Sequence, residues 1–322
     1  MTSANPFGRI VVAYDASDAA DAALVQALTL AEQYGGDVVA VNASDQSAAS
    51  VLPVKTASSA RRIDFDAVVA SLDVARQSLY RRLSLHVASG SVPVVFECVP
   101  NIPEKGIIDA AARWEATAIA IGTHGYRGLT HALVGSVAEA VVRTADVPVI
   151  VVHADASLGP IKSALVGIDG SAASAKAARL ATALALCNAV RPVYCTVINP
   201  YPITQPIAES PYEPTPLLER MERDARDALD AALQEAAASG VHPDTEIADT
   251  SDAADGIVQI AKRRGAGAIV LGMPKRGAAE AFLFGSIVFD VMRRANVPVI
   301  AVPADSPVLL ESAVADQRRG KA

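Results

Sequence analysis

Residues 122–136 read GTHGYRGLTHALVGS, with Gly122, Gly125 and Gly135 set between two apolar segments and Ser136 directly after the last glycine. Glycines let a backbone approach an anion with no Cβ in the way. A glycine–serine pair opening a helix brings free amides, the positive end of the helix dipole and a hydroxyl to one point. The chemistry this segment offers is a cradle for phosphates. Its spacing alone is weak support: with glycine at about 7% of residues, three at fixed offsets arise by chance in about one chain in ten of this length. Position strengthens it, because Gly122 ends the apolar run AIAIG and Ser136 begins a helical pattern.

Other phosphate and catalytic motifs are missing. There is no GxxxxGK[ST] segment, and Gly265-Ala266-Gly267 precedes a strand-like run instead of following one, so neither a P-loop nor a dinucleotide fingerprint is present. No GxSxG elbow occurs. The histidines His86, His124, His131, His153 and His242 have no HExxH or similar ligand spacing. The sequence therefore nominates no catalytic residue and no metal site made of protein side chains.

The elements that must position the cradle come in two copies. RIVVAYDAS (9–17) is echoed by SALVGIDGS (163–171), so that Asp15 and Ser17 match Asp169 and Ser171. Gly135-Ser136 recurs as Gly285-Ser286, and VPVIVV (147–152) as VPVIAV (297–302). Within each copy, short β-rich runs alternate with helical periodicity. The first copy predicts strands near 9–14, 37–42, 93–98, 118–122 and 148–152, with helices near 18–34, 65–88, 103–115 and 136–144. The second predicts strands near 163–168, 192–198, 245–249, 268–271 and 298–302. Its longest helix, 217–239, carries the stripe Leu218, Met221, Ala225, Leu229 and Ala232, with Glu219–Arg223 and Glu222–Arg226 spaced as ion pairs on the exposed side. Arg143, Arg293 and Arg294 end their helices, where positive charge suits the dipole.

Strand–helix alternation of this kind predicts an α/β fold: two tandem doubly wound domains, each a parallel sheet with helices on both faces. The expected boundaries are 1–155 for the first domain, 156–305 for the second and 306–322 for a polar tail. Residues 43–60 and the proline-dense 200–216 read as loops or lids.

Composition bounds the function. Hydrophobic residues make up 51% of the 322, aromatics only 4%, so Ala, Val, Ile and Leu must build the core. No apolar run reaches the roughly 18 residues of a membrane span, and MTSANPFGRI lacks a secretory pattern. Cys98, Cys187 and Cys195 form no CxxC pair and read as small core residues of a chain in a reducing, cytoplasmic setting. A net charge of −7 argues against nucleic acid as a partner. It does not exclude a nucleotide held by backbone amides.

Taken together, G-x2-G-x9-G-[ST] at 122–136, Asp15 ending the first strand and the closing VPV strands make the chain resemble a universal stress protein in its tandem form, from residue 8 to about 304. The resemblance implies a five-stranded parallel sheet of the adenine-nucleotide α-hydrolase type, with ATP, accompanied by Mg²⁺, at the strand ends. It implies that Ala13, Asp15 and Val41 sit by the ribose and adenine, and that Gly122, Gly125, Gly135, Ser136 and Val137 surround the phosphates. His124 and Arg127 read as solvated loop residues, with contact to phosphate or ribose as the alternative. The resemblance also implies an intramolecular pseudo-dimer seamed along 147–152 and 297–302, to which a further homodimer or a protein partner could be added. Asp15 is equally placed to steady the helix capped by Ser17, and Val41 to fill the core.

The second copy departs from the motif. It retains Asp169, Gly272, Gly285 and Ser286, but Lys275 stands where Gly125 would be, followed by Arg276 and preceded by Pro274. One competent and one weakened or repurposed site are expected. The leading expectation is an ATP-binding regulatory protein of the cytoplasmic stress response with little intrinsic catalysis. A slow ATPase or adenylyl-group hydrolase on the same fold, and a nucleotide-free scaffold, are the alternatives.

Overall fold

The computed structural model describes residues 5–44, 50–55, 74–87, 91–123, 134–188, 190–198, 215–274 and 281–307. The chain forms two compact units, Met1–Pro160 with Asn296–Pro298, and Ile161–Ala295 with Val299–Ala322.

In the first unit the elements run β1 (Arg9–Ala13), α1 (Asp18–Tyr34), β2 (Asp37–Ala43), β3 (Ser50–Lys55), α2 (Val74–Val87), β4 (Val94–Val99), α3 (Pro103–Arg113), β5 (Ala118–Gly122), α4 (Ser136–Thr144) and β6 (Val149–Val152). The strands lie in the order β3-β4-β2-β1-β5-β6, all parallel except β3. The chain thus moves outward from β1 through β2 to β4, then returns to the other side of β1 as β5. With right-handed crossovers, these opposite directions of travel place α1 and α3 on opposite faces. The near-continuous burial of β1 and β6 fits a sheet covered on both sides.

The second unit repeats the plan without the antiparallel strand. It comprises β7 (Ser163–Gly167), α5 (Ala172–Asn188), β8 (Arg191–Ile198), α6 (Thr215–Ala238), β9 (Asp244–Asp249), α7 (Ala253–Arg264), β10 (Ala268–Met273), α8 (Ala281–Arg294) and β11 (Val299–Pro303). Its order is β11-β10-β7-β8-β9, parallel throughout.

Several expectations change. The stretch 43–60, read as a loop, contains β3, which pairs antiparallel with β4 and gives the first unit a sixth strand. The helix expected over 65–88 is described over Val74–Val87, with 65–73 outside the described residues. Most of the proline-dense segment also lies outside them, and α6 begins at Thr215. Ser306, expected to open a polar tail, is buried, and its carbonyl accepts a hydrogen bond from Lys176 Nζ at 3.0 Å. Cys98 and Cys195 are core residues, but Cys187 on α5 is exposed.

The turn after the first strand is built alike in both units. Asp15 Oδ1 accepts the Ser17 amide at 3.0 Å, and Asp169 Oδ1 accepts the Ser171 amide at 2.9 Å. The serines then cap the next helix, each side-chain oxygen accepting an amide of the first turn, from Ala20 at 3.2 Å and from Ser174 at 3.1 Å. The residue between Asp and Ser is left-handed in both, Ala16 at φ 62° and Gly170 at φ 78°. An alanine there is strained by about 1–2 kcal/mol, which glycine avoids. Ala16→Gly, copying the second unit, is therefore expected to stabilise the first unit by about 0.5–1 kcal/mol after the greater chain entropy of glycine is counted. Urea unfolding followed by the fluorescence of Trp114, the single tryptophan, checks it; a lowered midpoint would contradict it.

Candidate functional site

In an open α/β sheet, ligands bind beyond the carboxyl ends of the strands where the strand order reverses. In the first unit that point lies between β1 and β5, paired in parallel from Ile10–Ala118 to Val12–Ala120. Asp15 follows one strand, and Gly122 ends the other.

Gly122 is held there by packing. A Cβ on it would stand 2.6 Å from the carbonyl carbon of Ala19, inside the first turn of α1. The missing side chain thus lets α1 begin directly over the end of β5, which seats the Asp15–Ser17 turn beside it. Beyond Gly122, the Thr123 amide donates to the Val152 carbonyl at 2.9 Å, and the Thr123 carbonyl accepts the Gly135 amide at 2.6 Å. Thr123 Oγ1 and His153 Nδ1, both buried, lie 3.1 Å apart. These contacts fasten both ends of the glycine segment to the sheet edge. Gly125, His124 and Arg127 lie outside the described residues.

Helix α4 starts at this edge with Gly135 as N-cap and no side-chain cap. Its first internal bond runs from the Glu139 amide to the Gly135 carbonyl at 2.9 Å. The amides of Ser136, Val137 and Ala138 therefore have no partner inside the helix. Side chains cap α1, α5 and α7; α3, with Ile102 as N-cap, and α4 have none, and of these two it is α4 that starts beside the end of β5 and offers its first turn to the switch point. Ser136 is exposed, and Gly135 and Val137 are half-buried.

On the other side of β1, Ala13 pairs with Val41. The Val41 carbonyl accepts the Tyr14 amide at 2.8 Å, and Asn42 Nδ2 donates to the Tyr14 carbonyl at 2.9 Å. The Val41 side chain is buried in the core, so what it offers a ligand is backbone. Tyr14, not singled out from the sequence, is tied down too. Its hydroxyl donates to Asp21 Oδ1 at 2.8 Å, while Arg82 reaches Asp21 Oδ2 at 2.5 Å and His86 Nε2 stands 3.3 Å from Oδ1. Burial, reinforced by the bond to Asp21, pushes the Tyr14 phenol well above its usual pKa.

The second unit reproduces the frame. The Ile168 amide donates to the Cys195 carbonyl at 2.8 Å, and Thr196 Oγ1 donates to the Ile168 carbonyl at 2.7 Å. A Cβ on Gly272 would fall 2.2 Å from the carbonyl carbon of Ala173, the same close approach of helix to strand. The helix that follows differs. α8 starts at Ala281, so Gly285 and Ser286 lie within it and their amides are used by its own hydrogen bonds. At this corner lies a cavity of about 290 Å³, reached by Asp169, Cys195 and Thr196, with Ile287 and Val288 of α8 in its wall.

The model of the universal stress protein family matches residues 6–153 and again residues 160–303. The chain belongs to the universal stress protein family. A curated universal stress protein of Mycobacterium tuberculosis is 29% identical over 220 residues, 66% of this chain and 70% of its own. One from Methanocaldococcus jannaschii is 28% identical over 148 residues, 46% of this chain and 83% of its own. Among solved structures, a universal stress protein from Archaeoglobus fulgidus covers 92% of this chain and 98% of its own with a TM-score of 0.64 at 16% identity, a likeness of fold.

Within this universal stress protein, Ala13, Asp15, Gly122, Gly135, Ser136 and Val137 gather around one switch point, as do Asp169 and Gly272 around the other. Thr123, His153 and Tyr14 were missed from the sequence. The apolar positions next to Thr123 and Tyr14, and the repeat of Asp-x-Ser, mark the strand ends that carry them.

The contact between Gly122 and Ala19 makes a prediction independent of any ligand. Gly122→Ala should cost about 1–3 kcal/mol through overpacking, seen as a lower urea midpoint in Trp114 fluorescence without nucleotide. An unchanged midpoint would mean that this glycine is not required by the fold.

Proposed function

We propose that the first unit binds ATP and that occupancy of this site regulates the protein's interactions with a partner in the cytoplasmic stress response. The observation that carries the reading is the uncapped first turn of α4, opening behind a glycine segment at the strand switch point of a universal stress protein domain. Three amides with no helical partner and the positive end of the dipole favour an anion. Ser136 adds a hydroxyl.

In this reading the triphosphate lies along Gly122, Gly125 and Gly135 to Val137, with His124 and Arg127 beside it. The ribose meets Asp15, and adenine lies along the backbone of Ala13 and Val41, whose carbonyl retains a second lone pair. Asp15 is limited in its movement because it already holds the Ser17 amide, so a ribose hydroxyl meets a preset acceptor. Mg²⁺ enters with the phosphates: among the described residues no group of three or more His, Cys, Asp or Glu side chains is arranged to hold a metal.

Regulation follows from differential binding. ATP shifts a conformational equilibrium only if it contacts one state better than the other. A first helical turn whose amides are satisfied by phosphate in one state and by water in the other supplies such a difference.

The test is isothermal titration calorimetry with MgATP. Wild-type protein is expected to bind one ATP through the first unit. Gly125→Lys, which copies the second unit, should weaken binding at least about ten-fold, or 1.4 kcal/mol, with no change in the urea midpoint. Asp15→Ala should weaken it as well. Undiminished affinity in Gly125→Lys would place the phosphates elsewhere.

A further inference from the structure

The cavity of the second unit has the position of a nucleotide site and the wrong chemistry for phosphates. It lies at the carboxyl ends of β7, β8 and β10, and Ile168, Val197, Met221, Ile257, Leu271 and Val288 form much of its wall. Two carboxylates line it, Asp169 and Asp224, and among the described residues its lining holds no lysine or arginine. Both are exposed side chains at its margin. Asp224 has Arg220 at 3.8 Å, a long contact between mostly exposed side chains that leaves its charge available.

Two features separate this site from that of the first unit. The helix behind it, α8, begins at Ala281, so the corner receives apolar side chains of the second turn, Ile287 and Val288, in place of free amides. Ile168 stands in its wall where the first unit has Tyr14 bound to Asp21. Cys195, on the floor, contributes no charge: burial, with the nearby Glu246 carboxylate, pushes its thiol up to about 12. Among the described residues, a polyphosphate would meet two negative charges and neither a cation nor a free helical amide in exchange for its hydration.

We propose that the second unit binds a small organic cation with an apolar or aromatic body, the body in the cavity and the ammonium between Asp169 and Asp224. The volume of about 290 Å³ lies at the lower end of ligand pockets, roughly 300–1,000 Å³. The ligand is accordingly smaller than a typical drug molecule. Apolar burial supplies affinity, and the carboxylates select the sign of the head group. The site does not depend on ATP binding in the first unit.

A matched pair of probes tests this on the full chain: tryptamine and indole-3-acetate, which share an aromatic body and carry opposite charges. Calorimetry in the presence of saturating MgATP is expected to give one tryptamine per chain, with indole-3-acetate at least about ten-fold weaker, the change expected when two favourable charge contacts become unfavourable. The double variant Asp169→Asn, Asp224→Asn retains the Asp169 turn acceptor and removes both charges; it should weaken tryptamine about five-fold or more. Ala225→Trp, which fills the cavity from α6, should abolish tryptamine binding. The proposal is overturned if tryptamine does not bind at millimolar concentration or if indole-3-acetate binds as tightly. It is also overturned if the double Asn variant binds tryptamine undiminished, or if ATP displaces it. Failure of ATP to bind at all would instead tell against the reading of the first unit.

Discussion

Both units depend on a helix backbone coming closer to a strand end than any side chain allows. At Gly122 the first turn of α1 occupies the space of a Cβ, and at Gly272 the first turn of α5 does the same. This contact fixes where each helix begins, and the Asp-x-Ser turn preceding it has little freedom left. The left-handed residue in that turn, Ala16 or Gly170, follows from the need to change direction within three residues. The acidic side chain, the cap and the strand end therefore arrive at the switch point as one rigid corner.

On that common corner the two units diverge at Ile168, which stands where the first has Tyr14, and chiefly in the helix after the glycine segment. The backbone bonds from β1 to β2 and from β7 to β8 match, and so do the side-chain bonds from Asn42 and Thr196. α4 begins at Ser136 and presents a bare first turn, whereas α8 begins at Ala281 and presents apolar flanks. A difference of this kind changes the sign of the ligand that fits without disturbing the sheet. Duplication supplies two corners, and the start of one helix decides what each can hold.

Much of this was legible in the sequence. Buried parallel strands read as continuous Val/Ile runs, and the helical stripe through Met221, Ala225 and Leu229 identified α6 to within two residues at its start. Ser17 and Asp15 were legible as a cap and its turn. Three features were not. β3 lies in a Ser/Ala-rich segment whose strand character comes from pairing with β4, a non-local contact. Gly122 was read for its openness to phosphate, while its backbone contact with Ala19 depends on tertiary packing. The start of α8 was hidden because Gly285-Ser286 looks identical to Gly135-Ser136; a glycine inside a helix costs only about 1 kcal/mol, too little to mark a boundary by itself.

The central claim, that the two units share a corner and differ in free helical amides, is tested most directly by amide hydrogen exchange at the paired positions with and without MgATP. The account predicts that Ser136, Val137 and Ala138 exchange fast in the free protein and become protected when ATP is added. Gly285, Ser286 and Ile287 should be protected by their own helix in both conditions. Equal protection of the two sets in the free protein, or an ATP effect confined to the second unit, would contradict it.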